Sequence, residues 1–398
     1  MHRLENPVRE YDWGSPTTIP ELLGRRPTTQ PAAELWLGAH PSAPSTALTP
    51  DGPVPLDEYI GDDPAGVLGA DVVARFGACL PYLLKIIAAD KPLSLQVHPS
   101  ADAARAGFER EELSGVAIDD PHRNYKDRNH KPELVFALTP FQAMCGFRAP
   151  RRAAELVAGL DAELARVLHA DLRADPSFRG IRAAFRRLLD PHEPPTPAQV
   201  GEVVDACRER LAAGSPSPRA DGTVVLLAEH YPGDPGVVTS LLLNPVTLQP
   251  GEALFVPAGG VHAYLSGTAV EIMANSDNVL RAGLTSKHID IPELLDNVDY
   301  VAAPPIRVAP EAFHGSTKAF YAPVDDFELS FTRLTDGAVH PLPGRGPRVL
   351  LCLEGAVTLE SAAGDKVDLV RGESAFVPAR DGSLVASGVG TVVQADVP

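Results

Sequence analysis

Residues 251–267 read GEALFVPAGGVHAYLSG, and residues 372–388 read GESAFVPARDGSLVASG. Both Gly-Glu pairs and both Phe-Val-Pro triplets are offset by the same 121 positions (251 to 372, 257 to 378). A chain that carries one strand-turn-strand unit twice is constrained to build the same β architecture twice. The copies differ at a chemically decisive place. His262 in the first corresponds to Ser383 in the second, so a metal site is open to the first copy and lost to the second.

Three textures divide the chain. Residues 1 to about 148 carry short apolar runs, PYLLKII, PLSLQV and PELVFAL, between Pro and Gly turns, which predicts strands. From 149 the period changes. RRAAELVAGLDAELARVLHADL, FRGIRAAFRRLLD and AQVGEVVDACRERLAAG space apolar residues by three and four, which predicts helices up to about residue 236. Strand texture returns with VVTSLLLNPVTL and continues to RVLLCLEGAVTLE and TVVQADV. One exception is IPELLDNV, where Asp290 is placed to cap a helix and Pro292 sits near its first turn.

Composition narrows the partners. A net charge of -17 argues against nucleic acid or an anionic membrane. A small anionic substrate stays open, because a local group of Lys and Arg outweighs a distant negative field. No apolar run approaches the roughly 18 residues that span a bilayer. The opening MHRLENPVREYDWG lacks the apolar core of a secretory signal, so the expected address is the cytoplasm. Cys79, Cys145, Cys207 and Cys352 form no CxxC pair. They read as buried free thiols, so any metal must use nitrogen and oxygen ligands.

The first copy fits the second half of the cupin signature, G-x5-P-x-G-x2-H, through Gly251, Pro257, Gly259 and His262. The glycines permit a tight turn, the proline stiffens the strand end, and the histidine points into a barrel mouth. Gln96-Val97-His98 occupies the place of the other half's HxH. In PLSLQVHPS, Leu93, Leu95 and Val97 alternate with Ser94, Gln96 and His98, so a strand puts the polar three on one face. Residues two apart share that face about 6.6 Å apart, close enough to converge on a metal bound at roughly 2.0–2.2 Å. Glu133, where the polar run KDRNHKPE meets LVFAL, is the remaining candidate. Gln96, His98, Glu133 and His262 make a nitrogen/oxygen set suited to zinc or a related divalent ion. The fold expected is mainly β with a helical insertion: two cupin-type (jelly-roll) β-barrel domains plus an α-helical domain. The catalytic barrel takes residues 1–148 and 237–300, the helices 149–236, and a metal-free barrel 301–398.

The run HAYLSGTAVEIMANSDNVLRAGLTSKHID, residues 262–290, sets Glu271, Asp277, Arg281 and Lys287 among small and apolar residues. Asn275, Ser276, Asp277 and Asn278 turn the backbone and leave polar groups exposed. Together with YDWG, AELWLGAHPSAPS, PLSLQVHPS and YKDRNHKPE, this run resembles the type I phosphomannose isomerases. The motifs span the first three hundred residues in the family's order, and only the cupin-like repeat covers the rest.

The resemblance implies interconversion of mannose 6-phosphate and fructose 6-phosphate with one Zn2+ per chain, held by Gln96, His98, Glu133 and His262. Arg281 matches an active-site arginine, and Lys131, Tyr264, Glu271, Asp277 and Lys287 match other positions lining the site. Such a reaction needs a base that moves a proton between C1 and C2, with Glu271 favoured over Asp277. Lys131 is expected to assist proton traffic on oxygen, and Tyr264 to touch substrate. Lys85, Ser94 and Lys287 are the phosphate-binding candidates. The partner is thus a phosphosugar, and the expected state a monomer. Two other readings of a cupin pocket are an Fe(II) oxygenase and a regulator that binds sugar phosphate without turning it over.

Overall fold

In the computed structural model of the chain, residues 1–27, 29–335 and 337–398 are described. Two antiparallel sheets of eleven strands each carry the architecture, with a group of helices packed on the first. The strand Tyr82–Ala89 explains much of the layout. All eight of its residues are buried, because both of its faces are covered. Tyr82, Leu84, Ile86 and Ala88 enter the core between the two sheets, together with Phe320, Phe376 and Val393. Ile87 and Ala89 face the other way, into the interior of the first sheet with Phe141, Cys145 and Tyr264. By the two-residue period of a strand, Lys85 takes that inner face too. A lysine there demands a partner of opposite charge.

The first sheet runs in the order Ile306–Val308, Ala253–Val256, Glu133–Ala137, His262–Ala274, Tyr82–Ala89, Glu34–Gly38, Val8–Arg9. Its spine is the 13-residue strand His262–Ala274. The second half of this strand pairs with Tyr82–Ala89 and Glu133–Ala137. Its first half pairs with Phe141–Phe147 and, at His262, with Gln96. The change of partners falls at Gly267, where φ is +113° and a Cβ would lie 2.5 Å from the Pro140 carbonyl oxygen. Only glycine is tolerated there.

The repeat read in the sequence is realised in matched strands. Ala253–Val256 and Ser374–Val377 have four residues each, and His262–Ala274 and Leu384–Asp396 have thirteen each. The copies diverge at one end. Val256 pairs with Glu133, whereas its counterpart Val377 pairs with Arg348. Arg348 is fully buried and donates to the carbonyls of Gly344, at 3.1 Å, and Gly382. A fixed guanidinium thus stands where the first copy has a carboxylate, and Ser383 where it has His262. That arrangement repels a cation.

Sheet pairing cuts across the boundaries drawn from texture. His2–Glu5, Thr46–Thr49 and Gly52–Pro55 join the C-terminal sheet, while Ile306–Val308 joins the N-terminal one. The helices Pro150–Ala158, Glu163–Ala174, Phe178–Leu188, Pro197–Ala212 and Pro218–His230 lie where the period predicts them. They share a core with Leu95, Val97 and Leu280, and so brace the strand that carries Gln96 from behind. Asp290 caps Ile291–Asn297 as expected, accepting from the Glu293 N–H at 3.1 Å. The helix Ala101–Leu113 is not predicted by the strand-rich texture around it. Its signal is Ser100, which accepts from the Ala103 N–H at 3.2 Å, ahead of an Ala-, Glu- and Arg-rich run. No helix among the described residues is long and apolar enough to cross a membrane.

Candidate functional site

Three neighbouring strands aim the site. Gln96 is paired with His262 on one side and with Arg281 on the other, so these side chains leave the sheet on one face. His98 follows at the end of the Gln96 strand. Glu133 opens the next strand across the interior, beside Met273.

His98, Glu133 and His262 are all buried, and their ligand atoms lie within 4.8 Å of one another. His98 Nε2 is 3.0 Å from Glu133 Oε1, and His262 Nε2 is 3.4 Å from Oε2. The far side of each ring settles its tautomer. His98 Nδ1 lies 2.8 Å from the Asn278 carbonyl, and His262 Nδ1 lies 2.9 Å from that of Gly260. A carbonyl only accepts, so each Nδ1 carries a hydrogen, and in the neutral ring, the form that binds a metal, each Nε2 presents a bare lone pair. Burial, partly opposed by Glu133, pushes the His98 ring down to about 4, which keeps it neutral at pH 7. Burial would raise the Glu133 carboxyl, but its surroundings, Lys131 3.6 Å away among them, outweigh it and hold it well below its ordinary range.

The result is unfavourable without a guest. Bare ring nitrogens face an ionised carboxylate with no hydrogen between them, and buried His98 Nε2 has no hydrogen-bond partner. Acceptors crowded this way are stabilised by a cation. Two imidazoles and a carboxylate suit zinc, and both rings already have the outer hydrogen bonds that zinc-binding histidines have. Gln96 faces the same side, with its amide nitrogen 3.4 Å from Ser94 Oγ.

A buried polar chain leads away from Glu133. The Tyr264 hydroxyl lies 2.9 Å from both Glu133 Oε2 and Glu271 Oε1. One hydroxyl has one hydrogen, so closing both contacts requires a proton on one carboxyl. Glu271 is the partner suited to hold it. Burial and the Glu133 charge, against Lys85, raise its carboxyl to about 7. Lys85 Nζ donates to Glu271 Oε2 at 3.2 Å and lies 3.9 Å from Glu34 Oε2. Despite burial, Glu34 and Glu271 raise the Lys85 pKa and keep it charged. Trp36 Nε1 donates to Glu34 Oε2 at 2.6 Å and ends the chain.

Above the centre opens a cavity of about 550 Å³, lined by Ser94, Gln96, Lys131, Asp277, Arg281 and Lys287 among others. A larger cavity of about 920 Å³ adjoins it at Ser42, Lys126 and Asp277 but holds none of the metal-ligand set.

The first 150 residues match the family model for the catalytic domain of type I phosphomannose isomerase. Over 402 residues the chain is 40% identical to mannose-6-phosphate isomerase of Escherichia coli K12, covering 99% of each. It is 32% identical to the bovine enzyme of that name, covering 94% of this chain and 92% of the other. The chain belongs to the type I phosphomannose isomerases. Solved structures agree. A point mutant of phosphomannose isomerase from Salmonella typhimurium superposes with a TM-score of 0.90 at 38% identity, covering 100% of this chain and 99% of the other. A zinc-bound mannose 6-phosphate isomerase gives 0.88 at 39%, with the same coverage.

For a type I phosphomannose isomerase, the residues singled out in the sequence divide into two depths. Lys85, Ser94, Gln96, Lys131, Asp277, Arg281 and Lys287 line the cavity. Tyr264 and Glu271 are not among its lining residues, and the tyrosine hydroxyl is spent on the two carboxylates. Lys85 is engaged by Glu271 and Glu34, so its charge is already neutralised. Arg281 and Lys287 differ: among the described residues neither side chain has an ion-pair partner. Burial lowers the pKa of both, and the Arg281 charge lowers Lys287 further, so two adjacent cations lack an anion. Asp277 is partly exposed on the cavity wall, with Oδ1 3.3 Å from His40 Nε2. That contact, against burial, holds its carboxyl below the ordinary range. Glu34, His40 and Asn278 touch these residues, and the sequence singles out none of the three for the site, Asn278 reading only as part of a turn. Glu34 had a signal, an acidic residue inside the apolar strand ELWLG.

Proposed function

We infer that the chain interconverts mannose 6-phosphate and fructose 6-phosphate with one zinc held by His98, Glu133, His262 and Gln96. The observation that carries the reading is the convergence of two bare imidazole nitrogens on a buried carboxylate, beneath a cavity with two unpaired cations. Zinc, when bound, supplies a Lewis acid for a substrate carbonyl.

The other roles belong to the chain's own side chains. Arg281 and Lys287 attract the sugar phosphate's negative charge, with Ser94 adding a hydroxyl, and Lys85 drops out of that role. A base must take the proton from one carbon and return it to the next through a cis-enediolate. Asp277 has the better access, but a carboxylate held low is a weak base. Glu271, raised towards neutrality, has the proton affinity the step needs. It lies behind the cavity wall with both oxygens engaged by Tyr264 and Lys85, so as base it requires a substrate that enters beside Lys85 and displaces one of those contacts. Lys131, beside Glu133 on the cavity wall, is set to serve proton transfer on oxygen.

The two sheets and their repeated units support a reading as two cupin-type barrels. On that reading residues 1–148 and 237–300 supply most of the metal-binding one, 149–236 the helical insertion and 301–398 most of a metal-free partner, with His2–Glu5, Thr46–Thr49 and Gly52–Pro55 lent to the second sheet and Ile306–Val308 to the first. The ligand set His98, Glu133 and His262 closes within the chain and needs no second copy, and the state proposed is a monomer. Cys145, Cys207 and Cys352 are buried as expected and Cys79 is exposed against expectation; unpaired thiols suit the reducing cytoplasm.

The deciding experiment is a coupled assay of mannose 6-phosphate conversion before chelation, after it, and with zinc restored. Activity that leaves and returns with the metal is expected. One zinc per chain without turnover would point instead to a binding protein. For Lys287→Ala, losing one charged contact of about 1.5–3 kcal/mol raises KM roughly 10–100-fold and leaves kcat nearly unchanged. An unchanged KM removes Lys287 from the phosphate site.

A further inference from the structure

Asn278 lies at the turn after the strand His262–Ala274, touches none of the ligand atoms, and is completely buried. Its side chain makes five contacts with one irregular segment. Oδ1 accepts the N–H groups of Lys126, at 2.7 Å, and Asp127, at 3.2 Å. Nδ2 faces the Asp127 carbonyl at 2.9 Å, Asp127 Oδ1 at 3.2 Å and the Asn129 carbonyl at 2.9 Å. Neighbours reinforce the same seam. Ser276 Oγ donates to Asp127 Oδ1 at 2.9 Å, and the Asp277 N–H donates to Asp127 Oδ2 at 2.8 Å. The clamped segment runs directly into Lys131 and Glu133. Asn278 also faces the metal centre from its other side, because its carbonyl is the acceptor that fixes the His98 ring at 2.8 Å.

We propose that Asn278 is the positioning residue of the metal centre: one clamp holds both the His98 ring and the segment delivering Glu133, so the ligands are set before zinc arrives. The physical case is one of matching. An amide has two acceptor lone pairs and two hydrogens, and here both ends are used on the same backbone loop. Neither a carboxylate nor an aliphatic side chain of the same size does this. If the clamp is lost, His98 and Glu133 are free to relax away from their crowded apposition, and zinc must then pull them together at a cost in affinity. The proposal rests on zinc occupying His98, Glu133 and His262.

Two variants test it. Asn278→Asp keeps the size but sets acceptors against the Asp127 and Asn129 carbonyls. Asn278→Ala removes all five contacts and leaves room for water. Asn275→Ala is the control, since it deletes a nearby hydrogen bond to the Leu80 carbonyl, at 3.1 Å, without touching the clamp. Zinc affinity is read by competition with a chromophoric chelator, beside the melting temperature of the metal-free proteins and the visible spectrum of their Co(II) forms. Both Asn278 variants are expected to bind zinc roughly 10–100-fold more weakly, the size seen for partners of metal ligands. Their Co(II) spectra shift, and KM for the sugar phosphate at saturating zinc stays that of the parent. Parental affinity with a parental Co(II) spectrum in the alanine variant overturns the proposal. So does an equal affinity loss in the Asn275 control, which would reduce the effect to general stability. A parent chain that binds no zinc overturns the zinc reading itself, and the parent alone reveals that.

Discussion

Glu271→Gln is expected to lose turnover by about 10²–10⁴-fold, the usual contribution of a positioned acid–base group, while one zinc per chain stays bound. Glutamine is the informative replacement because it can keep the local hydrogen bonds. Its carbonyl can accept from Lys85 and its NH2 can face the Tyr264 oxygen, which leaves the tyrosine hydrogen for Glu133. What disappears is the capacity to hold a proton. The pH dependence carries the same signature. With its carboxyl raised to about 7, Glu271 is protonated and idle below neutrality. Activity in the parent should therefore climb as pH rises through about 7, and the residual activity of the variant should lack that limb. Hydrogen exchange at C2 of the substrate in labelled water gives the direct reading. Exchange at the parental rate in Glu271→Gln would pass the base role to Asp277, and Asp277→Asn would then show the larger loss.

His262→Ser should strip the centre of zinc. The change writes into the first copy of the repeat what the second already has at Ser383. Zinc held by about 10–16 kcal/mol over four ligands owes about 3 kcal/mol to each, and that is roughly a hundredfold in affinity. The variant should emerge from dialysis with little zinc and little activity, and excess zinc should restore part of both. Glu133 then faces only one imidazole, yet the backbone pairing of residue 262 with Gln96 and Cys145 needs no side chain, so the fold should persist. Zinc affinity matching the parent's would remove His262 from the ligand set.

Much of this was written in local pattern. The alternation in PLSLQVHPS set Gln96 and His98 on one face, and the structure keeps Leu95 and Val97 on the other, packed on the helices. The repeat located His262 and announced its loss at Ser383. The junction of KDRNHKPE with an apolar strand marked Glu133. Such signals are readable because side-chain period and turn chemistry are properties of a few adjacent residues. The helix Ala101–Leu113 shows the limit even there, since its cap lies inside a segment that otherwise reads as strand and turn.

What the sequence by itself determined, then, is which side chains share a face and where the metal-binding residues stand along the chain. Only the tertiary structure decided what each one meets. Lys85 reads as a free cation for phosphate until strand register sets Glu271 directly opposite it, 186 residues away. Arg348 reads as an ordinary strand residue until the same register puts it in the place of Glu133. Asn278 reads as a turn residue until the loop at 126–129 closes on it. The physical reason is common to all three. Period fixes direction within a strand, but the partner across it depends on how distant strands align, and in a buried site that partner decides charge, protonation and the fit for zinc.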